Sequence, residues 1–122
     1  MRTFCTGCRI ENHTDRTRAA RIPKLLVDTG SQYAWVPAAT LQRIGVVREK
    51  KDLRFVLANG EIITRSVGFA VLRLGRDFTV DEVVFAEPGD LALLGARTLE
   101  GLNLTVDAAR KRLLAAEPLS AA

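Results

Sequence analysis

The stretch Leu25-Leu26-Val27-Asp28-Thr29-Gly30-Ser31 constrains this chain more than any other. Three apolar residues in succession leave no polar face, so a strand made of them is buried on both sides, as in the interior of a sheet. That strand then ends on a carboxylate. Burying a carboxylate is costly unless something binds it or shares its charge. The small residues that follow let the backbone turn at once, and Gly30 leaves room for another chain or a substrate to come close. Taken alone, Asp28-Thr29-Gly30 is also an ordinary turn at a strand end. The rest of the chain decides between the two readings.

Around this strand the sequence reads as a series of short strands with no linker and no repeat. Residues 3–11 form a strand, a polar turn covers 12–18, and a second strand from Arg21 to Val27 leads into Asp28. Residues 33–36 are extended, and Pro37 opens a short helix through Ile44 that stops at Gly45. Strands 53–57 and 61–67 flank Asn59-Gly60, a hairpin pair in which both turn positions favour positive φ. Strands over 68–74 and 78–85 join through Gly75-Arg76-Asp77, and Glu87-Pro88-Gly89-Asp90 is a loop. Leu91–Leu94 is a short buried strand, 96–102 a helix of about two turns. Residues 104–106 and 111–115 make a closing hairpin. This spacing predicts a mostly-β fold, barrel or sandwich, with one or two short helices. Residues 1–122 are expected to form a single domain, with 115–122 a frayed tail.

A chain of 122 residues has material for one such domain. It is too short for a two-lobed enzyme with its site between lobes, unless a second copy supplies the other lobe. No apolar run approaches the ~20 residues that cross a bilayer, and no hydrophobic signal core follows Met1. The expected location is therefore the cytoplasm, with no membrane partner and both cysteines reduced. The formal net charge is +4, and all of it sits in residues 1–24, with six Lys/Arg against Glu11 and Asp15. Phe4 is the only aromatic residue among those charges, one ring and not a platform for stacking bases, so the stretch reads as a solvated hairpin, and nucleic acid is not the expected partner.

Four ordered elements together resemble the retropepsin-like (retroviral-type) aspartic proteases, in their bacterial and cellular single-lobe form. The first is the apolar strand running into Asp28-Thr29-Gly30-Ser31. The second is the strand and short helix over residues 31–45. The third is the hairpin Leu57-Ala58-Asn59-Gly60-Glu61, where the family carries a flap over its substrate. The last is Leu93-Leu94-Gly95 before a short helix, which resembles the family's motif bracing the catalytic loop. The likeness runs from about residue 3 to 115.

The resemblance implies a single-lobe acid-protease fold, a closed β-barrel. It also implies an aspartic endopeptidase in which a water is activated by two Asp28 carboxylates, one from each subunit of a homodimer. Two like charges a few ångströms apart cannot both ionise cheaply, so such a pair shares one proton and serves as acid and base at once. The sequence holds only one Asp-Thr-Gly; Asp107 is followed by two alanines. Thr29 would bond across the axis, the Gly30 N–H would face the carboxylates, and the Ser31 hydroxyl would donate to an outer carboxylate oxygen. The substrate would be an extended peptide or protein segment, and no cofactor or metal is called for. The reading from a different class is a catalytically silent module that keeps the fold for dimerisation or peptide binding.

Two further features are weighed and set aside. Cys5 and Cys8 lie three apart on a strand, hence on opposite faces, and His13 is the only histidine. Trp35, just past the catalytic loop, is expected to fill the core or a pocket wall.

Overall fold

The computed structural model describes residues 4–119 and 121. Among these, nine strands and two short helices follow in the order β1 (Phe4–Asn12), β2 (Ala19–Val27), β3 (Ala34–Pro37), α1 (Ala38–Arg43), β4 (Lys50–Val56), β5 (Ile62–Leu74), β6 (Asp77–Ala86), β7 (Leu93–Leu94), α2 (Ala96–Gly101), β8 (Leu104–Asp107) and β9 (Arg112–Ala115). Thr3, expected to open the first strand, lies outside the described residues, as do Ser120 and Ala122 of the expected tail. Ala115 pairs with Leu104, and the Ala116 N–H donates to the Asn103 carbonyl at 2.9 Å.

The closed β-barrel implied by the resemblance is not what forms. The strands make one seven-stranded mixed sheet in the order β1-β2-β7-β3-β6-β5-β4, with a separate two-stranded sheet of β8 and β9. The sheet curls, so that Arg9–Asn12 of β1 also pair with Ala70–Arg73 of β5. The same edge of β5 is occupied over Ile62–Val67 by β4. On the other side, two-residue β7 meets β3 at the single pair Trp35–Leu93. With one edge shared between two strands and so thin a joint at β7, the sheet wraps its core without closing evenly.

β5 also corrects the expected break at Gly68. It runs unbroken for 13 residues, and Gly68 is a point of close approach inside it. A side chain there would collide with the Val47 carbonyl oxygen and press on Phe85. The core lies within the curl, where Ile10, Leu25, Val36, Leu72, Phe85 and Leu94 are fully buried. Pro37 precedes α1, and Gly45 (φ +79°) ends it, with the Gly45 N–H donating to the Gln42 carbonyl at 3.0 Å.

Few charges are buried, and Glu11 is one of them, at 4% exposure. It accepts hydrogen bonds from Arg9 Nε at 2.8 Å and from Arg73 Nε at 2.9 Å and Nη2 at 3.2 Å. This triad ties β1 to β5 at the curl. No helix among the described residues is long and apolar enough to cross a membrane.

Candidate active site

β2 carries Leu25 and Val27 into the core and delivers Asp28, half-buried, at its end. Parallel pairing of Leu26 with Leu93 and Val27 with Leu94 holds that end from the side. The Asp28 N–H continues the ladder, donating to the Leu94 carbonyl at 3.0 Å. The chain then turns tightly. The Ser31 N–H donates to the Asp28 carbonyl at 3.2 Å, and the Gly30 N–H donates to Asp28 Oδ1 at 2.9 Å. A Cβ at Gly30 would lie 3.1 Å from that oxygen. Thr29 and Gly30 are exposed at the surface.

The Ser31 hydroxyl departs from what the resemblance implies. It donates to the Tyr33 carbonyl at 3.0 Å and not to the Asp28 carboxylate. The turn into β3 presents that carbonyl first. Below the loop, the first backbone N–H groups of α2 have no partner within their own helix. They donate to the loop instead, Ala96 to the Ser31 carbonyl at 2.7 Å and Arg97 to the Gln32 carbonyl at 3.1 Å. Gly95 makes this possible. A side chain there would run into the carbonyl oxygens of Tyr33 and Ser31. Thr98, fully buried in α2, donates to Asp81 Oδ2 at 3.1 Å and anchors the helix to β6.

Asp28 opens onto a cavity of about 440 Å³. Gly30, Ser31, Trp35 and Leu93 line it beside Asp28. Val56, Leu57 and Ala58 line it from the hairpin between β4 and β5, and Gly89, Asp90 and Leu91 from the loop before β7. Trp35 is thus a wall residue, and its ring meets Phe55 edge-on at 5.2 Å. Of the residues singled out by sequence, Asp28, Gly30, Ser31, Leu57, Ala58 and Leu93 come together here. Asn59, Gly60 and Glu61 form the exposed hairpin tip outside the lining, and Leu94 and Gly95 are buried behind it.

The tip also corrects the expected turn. Only Gly60 has positive φ, at +86°. The Gly60 N–H donates to the Leu57 carbonyl at 2.9 Å, and the Glu61 N–H to Asn59 Oδ1 at 2.9 Å. The asparagine holds the turn through its side chain and needs no left-handed backbone.

One charged pair in the wall is absent from the sequence reading. Asp90 accepts from Arg65 Nε at 2.7 Å and Nη2 at 2.8 Å, and from the Glu87 N–H at 2.8 Å. The Arg65 hydrogen bonds hold the Asp90 carboxyl below the usual carboxylate range, and Asp90 in turn raises the Arg65 guanidinium. The available signal was an acid placed in a glycine loop immediately before the apolar run 91–94. Nothing local named Arg65 as its partner.

With this geometry in view, comparison with known families is decisive. The model of the family described as gag-polyprotein putative aspartyl protease matches residues 20–101. The chain belongs to the retropepsin-like aspartyl-protease family. The match takes in the Asp28 loop, the β4–β5 hairpin and the Leu93-Leu94-Gly95 brace of this retropepsin-like domain. It leaves the whole of β1 and the β8–β9 hairpin outside. Membership implies a peptide or protein substrate. A search of curated proteins gave no match.

The cysteines stand apart from this site. Cys5 is exposed and Cys8 is fully buried, both as free thiols. Burial pushes the Cys8 thiol up to about 12. Among the described residues, no three His, Cys, Asp or Glu side chains are grouped to hold a metal ion.

Proposed function

We propose that this chain is one half of an aspartic endopeptidase, completed by a second copy about a twofold axis. Each copy contributes Asp28. The observation that carries the reading is the half-buried Asp28 carboxylate, held by the Gly30 N–H in a cavity lined on one side by the β4–β5 hairpin. Asp90 in the same wall is engaged by Arg65, whereas Asp28 is free of any cation among the described residues. The chain offers no second Asp-Thr-Gly to pair with it.

One Asp28 carboxylate, ionised, takes a proton from a water held between the two copies. The resulting hydroxide oxygen bonds to the substrate carbonyl carbon, and the other Asp28, protonated, gives its proton to the carbonyl oxygen. The tetrahedral species collapses as the C–N bond breaks. The nitrogen leaves as an amine carrying the proton first taken from water. As C=O re-forms, one hydroxyl of the tetrahedral species returns its proton to the second Asp28, so the pair regains its single shared proton. Thr29, on the exposed face of the loop, is the residue for contact with the partner loop. Leu57, Ala58, Asn59, Gly60 and Glu61 form the flap, against which an extended peptide lies as an added strand. Leu93, Leu94 and Gly95 act only by holding the Asp28 loop. Ser31 acts through the same loop, since its hydroxyl is engaged with Tyr33.

Digestion of a mixed peptide library by wild type and by Asp28→Ala, with cut sites read by mass spectrometry, tests this. Cuts made by wild type alone support it. Cuts by both proteins move the chemistry elsewhere. Peptides bound but never cut favour a silent binding module.

A further inference from the structure

A second cavity, of about 400 Å³, lies across the Glu87–Asp90 loop from the first. Gly89 and Asp90 line both. Gly89 has φ +97°, and the space where its side chain would stand is empty to 4 Å. At Gly89 the divide between the two cavities therefore carries no side chain, and the Asp90 carboxylate beside it is turned to Arg65.

The second cavity has an apolar lining from Pro37, Ala38 and Ala92, and one half-buried cation, Arg48. The Arg48 guanidinium lies 4.4 Å over the ring of Phe85, itself fully buried. Two carboxylates share this lining, yet among the described residues neither pairs with Arg48: Asp90 is engaged by Arg65, and Glu87 is exposed at the rim. Stacking on an aromatic face fixes the plane of a guanidinium and leaves its N–H edge available to an acceptor. A carboxylate satisfies that edge with two hydrogen bonds; an amide does so less well.

We propose that the second cavity is an outer subsite of the substrate groove, where Arg48 selects a glutamate side chain of the peptide. This rests on the endopeptidase reading above. An extended peptide rises about 3.3 Å per residue, so a side chain a few positions from the scissile bond passes over Gly89 into this cavity. Arg48 is a specificity residue here and touches no reacting atom.

Paired peptides, identical except for Glu or Gln at one position, test this when that position is moved stepwise along both sides of the scissile bond. Wild type prefers Glu at one position by about tenfold in kcat/KM, carried by KM, as one charge-assisted hydrogen-bonded pair provides. Arg48→Gln brings the Glu peptide down to the level of the Gln peptide, and Arg48→Lys keeps part of the preference. The wild-type preference also shrinks as salt rises from about 0.05 to 0.5 M, a readout that needs no variant to fold. Equal cleavage at every position, a preference that survives in Arg48→Gln, or one indifferent to salt overturns the subsite while leaving the endopeptidase intact. Fluorescence anisotropy of the same peptides on Asp28→Asn separates the converse case. An Arg48-dependent preference in binding, with no cleavage by wild type, keeps the subsite and removes the endopeptidase.

Discussion

Arg65 grips Asp90 through two parallel contacts, Nε to Oδ2 at 2.7 Å and Nη2 to Oδ1 at 2.8 Å. Arg65 stands on β5 just beyond the hairpin tip, opposite Leu53 of β4. Asp90 stands in the loop that forms the facing wall of the cavity. The pair therefore makes the hairpin base and the wall one mechanical unit. Both side chains are largely shielded, at 18% and 15% exposure.

Replacing Arg65 by Met leaves Asp90 without its partner and is expected to cost about 1–3 kcal/mol in urea unfolding. Arg65→Lys is expected to recover only part of that, because an ammonium cannot make the two-pronged contact. Adding Asp90→Asn to Arg65→Met completes a double-mutant cycle. A coupling energy near zero would show that the two groups act independently.

Acid should unfold the protein through the same kind of group. Glu11 is held below the usual carboxylate range chiefly by its hydrogen bond from Arg73, and Asp90 by its hydrogen bond from Arg65. Unfolded carboxyls titrate near ~4. Above that value both states are ionised, and the two groups contribute their full stability. As pH falls, the unfolded chain takes up protons first, so stability is lost progressively until the folded groups protonate too. Urea midpoints measured from pH 6 downward should fall below about pH 4 to 5, and less steeply in Glu11→Gln. A wild-type midpoint that stays flat over that range would remove both groups from the acid response.

Two glycines should respond very differently to alanine. At Gly95 the added methyl meets the Tyr33 and Ser31 carbonyl oxygens, in the brace under the Asp28 loop. Overpacking against backbone is expected to cost about 2–3 kcal/mol. At Gly60 the space is open and only the positive φ resists, so about 1 kcal/mol is expected. Thermal or urea unfolding of the two variants checks the order; equal losses would place the constraint at Gly95 elsewhere.

Much of the site could be read locally. An all-apolar run into Asp28 signals a buried strand ending on a carboxylate, and Asn59-Gly60 signals a hairpin, because both depend on residues adjacent in sequence. What escaped depends on residues far apart. Arg65 and Asp90 are 25 positions from each other, and Glu11 and Arg73 are 62 apart. No pattern along either strand joins them. The same holds for Phe78, which reads as remote from the basic N-terminal stretch yet packs its ring under Arg16 and Arg73 at 5.1 and 4.7 Å. Gly68 looked like a strand end because glycine often is one, whereas its role is contact with Val47, a long-range fact. How far the sheet closes was likewise hidden, since it turns on which part of β5 each neighbour occupies.

Titrating Asp28→Asn into a fixed amount of wild type is the most direct measurement. If catalysis needs one Asp28 from each of two copies, mixed dimers are inactive, and cleavage by the wild type falls toward zero as the variant is added in excess. Asp28→Asn alone cuts nothing. Cleavage that is indifferent to the added variant would mean that a single chain carries a complete site, and the two-copy mechanism would be wrong.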